Sequence, residues 1–73
     1  MAISLKAARV NANMTQEQLA NKLDVSRQSV MDYENGRREV PTVYLIAFCQ
    51  VTGFGIDDIF LPERSTESSQ IEQ

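Results

Sequence analysis

The chain has 73 residues, with no histidine and a single cysteine, Cys49. A lone cysteine excludes an internal disulfide, and without histidine there is no Cys/His cluster to hold a zinc ion. The missing histidine also removes the commonest general base of enzyme catalysis. No nucleophile–base pair, metal cluster or phosphate loop takes its place. The sequence is therefore read as a non-enzyme with no catalytic or metal-binding residues, no cofactor and no small-molecule substrate. No apolar run approaches the ~18 residues a membrane helix needs. The start, "MAISLKAARV", lacks the apolar core of a signal peptide, so a cytoplasmic protein without membrane contact is expected. No Gly- or Asn-centred hairpin joins alternating apolar runs, which leaves little support for a sheet.

With 42% hydrophobic residues the chain is globular rather than disordered. A domain of this size buries only about 60% of its extended surface, so it needs economical packing, a partner, or both. The net charge of −3 is unevenly spread. Residues 63–73, "ERSTESSQIEQ", carry three Glu against one Arg, whereas residues 1–62 hold six basic and seven acidic side chains. The expected organisation is one domain over 1–62 followed by a polar acidic tail over 63–73. A nearly neutral body weakens any tight, non-specific hold on DNA.

Helix signals recur along the body. Ser4 can cap a helix over about 5–12, with Leu5, Ala8 and Ala12 on one stripe. Thr15 and Gln18 have the spacing of a capping box and open a second helix over about 16–23. Ser26 caps a third, from Arg27 to Glu34, which Asn35-Gly36 stops. Pro41 and Thr42 open a fourth that runs to about Thr52, and a last helical piece is expected over Ile56–Leu61. Only "DVS" separates the second and third helices, so they cross steeply as a helix-turn-helix. Asp24 takes the turn position that needs positive φ, which Asp tolerates better than most residues. The expected fold is an all-α, compact five-helix bundle.

The third helix, within "SRQSVMDYENGRR", carries arginines, amides and hydroxyls suited to nucleic acid, but also Asp32 and Glu34. At ~100° per residue from an inward Val30, Glu34 lies about 40° away and points into the protein. A buried carboxylate needs a partner, and Arg9 on the inner flank of the first helix is the candidate. Asp32 faces outward. There it could accept from cytosine N4, hold a neighbouring Arg or Gln in position, repel wrong sequences, or have no role.

The fourth helix, "VPTVYLIAFCQVTG", is apolar all round and wants cover all round. Leu45, Phe48 and Cys49 make its core edge, Cys49 as a small hydrophobe. Tyr44, Ala47, Val51, Phe54 and Ile56 remain as an exposed apolar surface. Of these, Tyr44, Val51, Phe54 and Ile56 are expected to form a protein interface.

The segments "LKAAR", "TQEQLA", "VSRQSV" and "ENGR", in that order, resemble the Cro/cI-type (XRE family) helix-turn-helix domain of phage repressors and small bacterial regulators. The resemblance runs from Leu5 to about Phe60. It implies a lambda-repressor-like five-helix domain whose third helix lies in the major groove of an operator. It further implies that Gln16 anchors a phosphate and braces Gln28, and that Arg27, Gln28 and Asp32 contact bases. The resemblance also implies that Ser26, Ser29, Asn35 and Arg37 contact the backbone, with Arg38 placed past the helix stop to join them, and Arg9 and Glu34 match the family's buried ion pair. Three departures stand out: Asp24 replaces the usual turn glycine, Thr52 stands where a core Leu is common, and the fourth helix is unusually apolar. The implied function is that of a sequence-specific DNA-binding transcriptional regulator, dimeric on a pseudo-palindrome. The alternative is an antirepressor, modulator or antitoxin on the same fold that binds a partner repressor or other protein.

Overall fold

The computed structural model describes residues 2–61; the expected tail over 63–73 lies outside the described residues. The chain opens with an extended pair, Ile3–Ser4 (β1), and runs directly into helix α1, Leu5–Asn11. Helices α2 (Gln16–Leu23), α3 (Arg27–Asn35) and α4 (Thr42–Thr52) follow. A single 3-10 turn over Ile56–Asp58 then leads to a second extended pair, Ile59–Phe60 (β2).

Each start is fixed by a local device. Ser4 Oγ accepts from the Ala7 amide at 3.1 Å, and Ser26 Oγ accepts from the Ser29 amide at 3.1 Å. Thr15 and Gln18 form a full capping box: Thr15 Oγ1 accepts from the Gln18 amide and Gln18 Oε1 from the Thr15 amide. The ends are as local. Asp24, Gly36 and Gly53 take left-handed conformations with φ of 57°, 76° and 87°, which turn the chain and expose the last carbonyls to new donors. Asn13 does the same after α1 with φ of 62°, and Met14 N–H then donates back to the Arg9 carbonyl at 3.2 Å. At the end of α4, Thr52 Oγ1 donates to the Phe48 carbonyl at 2.9 Å. That bond explains how a hydroxyl stands where a core leucine is common.

The expected fifth helix does not form. Ile56–Asp58 makes one 3-10 turn, and Ile59 and Phe60 are extended, paired in parallel with Ile3 and Ser4. Helix nucleation is costly and the stretch after Gly55 is too short to recover that cost. An extended Ile59 instead packs its β-branched side chain against the core and pairs its backbone with β1. The result is a four-helix domain with a small parallel clasp that ties the two ends of the described chain together.

The core consists of Leu5, Ala8, Leu19, Ala20, Val30, Tyr33, Tyr44 and Phe48. The larger side chains among them, such as fully buried Phe48, Leu5 and Leu19, each contribute about 1.5–3 kcal/mol by leaving water. Tyr44 corrects the expected interface. It is 6% exposed, with its ring 4.4 Å from Tyr33 and 6.1 Å from Phe48. Burial holds its phenol well above its ordinary pKa, and the nearby Glu34 charge adds to the effect. Val51 and Phe54 are half-buried against the core, and of the four only Ile56 is well exposed. The helical wheel of α4 could not place Tyr44 correctly, because every side of that helix is apolar. The three-dimensional position of Tyr33 decided which side turned inward. Cys49 is half-buried; burial raises its thiol pKa, with Asp58 adding, which keeps it in the less reactive protonated form.

Candidate nucleic-acid interface

Helices α2 and α3 meet through the turn at Asp24, with Val25 packed against the core between them. Val30 and Tyr33 anchor the inner side of α3. Its outer side therefore presents Arg27, Gln28 and Asn35 to solvent, with Met31 and Asp32 half-covered among them.

The two carboxylates of this helix have different fates. Arg9 Nε donates to Glu34 Oε2 at 2.7 Å, with side chains only 9% and 3% exposed. Arg9 Nη1 also donates to the Met14 carbonyl at 2.8 Å, and Gln16 Nε2 donates to Glu34 Oε1 at 3.2 Å. The pair is thus a small network that joins α1, the loop after it, α2 and α3. Both charges have hydrogen-bonding partners, the condition under which a buried ion pair is tolerated. Its negative charge is neutralised inside the protein and does not confront a polyanion.

Asp32 is covered by its own helix and the segment that follows. Gln28 Nε2 donates to Asp32 Oδ1 at 3.0 Å, and Arg37 Nη1 reaches the same oxygen at 3.5 Å. The brace expected between Gln16 and Gln28 is accordingly absent. Gln16, the first residue of α2, turns to Glu34, while Gln28 turns to Asp32 one helical turn along its own face. The carboxylates outcompete a neutral amide because hydrogen bonds to a charged acceptor are stronger.

The remaining candidates are spread around the start and end of α3. Ser26 and Ser29 share a hydroxyl–hydroxyl bond of 3.0 Å at its first turn. Arg27 is exposed and borders an open cleft with Thr15, Gln16 and Glu17. Past the helix end, Arg38 donates to Ser29 Oγ at 3.1 Å and to the Tyr33 hydroxyl at 3.4 Å, with its guanidinium 5.0 Å from the centre of the Tyr33 ring. Arg38 is therefore laid along the flank of α3, positioned by an aromatic ring whose other contacts are in the core. The position of Arg38 past the helix end is legible in the sequence, but this seat on Ser29 and Tyr33 is not among the sequence-based expectations. The signal for it was Tyr33, at the correct helical phase to share Ser29's side. Arg37 remains 61% exposed. The structure thus gathers Arg27, Gln28, Asp32, Asn35 and Arg37 about one outer face, with Ser26, Ser29 and Arg38 along its edge, and places Gln16 behind it on Glu34.

No group of three or more metal-ligating side chains comes together among the described residues, and no described helix is long and apolar enough to cross a membrane.

Comparison with known proteins gives two matches. The sequence pattern of the Helix-turn-helix family matches residues 5–59. A curated protein of Methanocaldococcus jannaschii, described as an uncharacterized HTH-type transcriptional regulator, is 39% identical over 59 residues, covering 81% of this chain and 89% of the relative. No solved structure gives a significant match.

Proposed function

The chain belongs to the XRE-type helix-turn-helix family, and on that premise we propose that it is a sequence-specific DNA-binding transcriptional regulator of the Cro/cI repressor kind. The observation that carries the reading is the division of charge about α3. Glu34 is neutralised inside the domain and Asp32 is covered, while Arg27 and Gln28 stand exposed and Arg37 and Arg38 follow the helix end. A face of this composition suits the major groove in spite of the acidic total charge. Gln28 pairs with adenine N6 and N7, and Arg27 with guanine O6/N7 or a phosphate. Ser26, Ser29, Asn35, Arg37 and Arg38 meet the backbone and supply affinity without sequence information.

The test is a salt-titrated binding assay on the protein's own promoter region and on randomised duplexes. Gln28→Ala should weaken the best site by roughly 5- to 150-fold and relax preference at one base pair. Arg37→Ala should weaken all sequences alike and make the salt slope shallower by about one. Identical behaviour of the two variants across the duplexes would remove the distinction between reading and anchoring residues.

One domain offers few contacts, so the proposal includes a second copy bound to the other half of a pseudo-palindrome. Support comes from α4, where Val43 is 80% and Ile46 is 47% exposed, three residues apart on one side. The competing reading, a modulator that uses this side to bind another repressor, draws on the same exposure. Sedimentation separates them: a dimer dissociated by Ile46→Lys, with operator affinity falling in step, supports the regulator. A monomer with poor promoter affinity at physiological salt supports the modulator.

A further inference from the structure

The side chain of Asp32 lies on the outer side of α3, yet is only 16% exposed. Two groups cover it, Gln28 Nε2 at 3.0 Å and Arg37 Nη1 at 3.5 Å, both on the same Oδ1. A carboxylate only accepts hydrogen bonds, so the half of the Gln28 amide that faces it has to be the NH2. Turning the amide over would set two acceptors against each other. Gln28 therefore presents its acceptor and its second N–H outward in a fixed order, nitrogen on the Asp32 side.

We propose that Asp32 is a positioning residue that sets the strand in which Gln28 reads adenine. The inference rests on the assignment of α3 to the major groove. Adenine offers N7 as acceptor beside N6 as donor, and the opposite strand offers them in reverse order. An amide with a fixed order of donor and acceptor fits one of the two. An amide free to turn over fits either, so discrimination between A·T and T·A at that position falls. Asp32 also draws Arg37 toward the same face, and its bond to Gln28 removes the need for the carboxylate to touch a base.

The experiment compares wild type, Gln28→Ala, Asp32→Ala, Asp32→Asn and the double variant Gln28→Ala/Asp32→Ala on randomised duplexes, with circular dichroism to verify folding. The base pair at which Gln28→Ala loses preference is the one at which Asp32→Ala should lose its choice of A·T over T·A, by about tenfold. Affinity for unrelated DNA should rise at the same time, since a negative charge near the phosphates is gone. In the double variant the loss of Asp32 should add nothing to the loss of base preference caused by Gln28→Ala, while the gain in affinity for unrelated DNA remains. Asp32→Asn, which can face the amide with either an oxygen or an NH2, should fall between wild type and Asp32→Ala. In the free protein, the side-chain amide signals of Gln28 should move in Asp32→Ala to the positions of a solvent-exposed glutamine. A wild-type preference that Asp32→Ala leaves intact overturns this assignment alone, as does a loss at a different base pair, which would mark Asp32 as a direct base contact. A wild type without any sequence preference overturns the major-groove reading of α3 and this assignment together.

Discussion

Glu34→Ala removes the carboxylate that Arg9 holds at 2.7 Å inside the domain. The guanidinium, with its side chain 9% exposed, then keeps the Met14 carbonyl at 2.8 Å as a neutral partner, and the Gln16 amide loses its acceptor as well. Breaking a buried pair by deleting one member costs about 3–5 kcal/mol, because the remaining charge stays out of water without compensation. A domain of this size has roughly 3–9 kcal/mol in total, at ~0.05–0.15 kcal/mol per residue. The variant should therefore lose most of its stability. In a urea titration followed by circular dichroism, with a slope of about 1 kcal/mol per molar, the midpoint should fall by roughly 3–5 M. Arg9→Met/Glu34→Leu removes both charges and fills the space with apolar atoms, so it should regain most of the loss. Burial of an uncompensated charge is the cause only if the double variant outperforms the single one. A midpoint for Glu34→Ala within about half a molar of wild type would refute the argument, as would a double variant no more stable than Glu34→Ala.

Three further outcomes follow from the geometry. Asp24 is left-handed at φ 57° and ψ 45°, so Asp24→Val should cost about 1 kcal/mol and lower the melting temperature by roughly 4–8 °C, whereas Asp24→Gly should match or exceed wild type; a valine variant that melts at the wild-type temperature would contradict the strain. Phe48, fully buried, should cost about 3–5 kcal/mol on Phe48→Ala in the same titration, while Ile46→Ala on the exposed side should stay within ~0.5 kcal/mol at concentrations where the chain is monomeric. The Tyr44 phenol is held neutral in the fold, while an unfolded tyrosine ionises near about 10. Its contribution is therefore fully present below that pH and is lost as pH rises above it, because the unfolded state releases a proton that the fold retains. Alkaline unfolding monitored by circular dichroism should be less steep in Tyr44→Phe, and an unchanged slope would count against it.

Much of this domain was legible in its sequence because much of it is decided within four residues along the chain. Ser4, Thr15 with Gln18, and Ser26 open helices through bonds to amides three positions away. Asp24, Gly36 and Gly53 close helices by their tolerance of positive φ. Asn13 does the same after α1; its signal was as local, an Asn directly after a helix, and was missed. The inward phase of Glu34 is equally a matter of 3.6 residues per turn, fixed once Val30 is taken as buried. Other features had no such address. Tyr44 is buried because Tyr33, eleven positions away, offers its ring, and an all-apolar helix gives no phase from which to deduce that. Ile59 and Phe60 extend because Ile3 and Ser4, from the far end of the domain, are there to pair with them. Gln16 turned to Glu34 instead of Gln28, and Asp32 was capped by Gln28 and Arg37, because several acceptors and donors competed at hydrogen-bonding distance. Sequence periodicity fixes which side of a helix a residue occupies. Which of several suitable partners it meets depends on distances of a few tenths of an ångström between separate elements, and those exist only after the elements have packed.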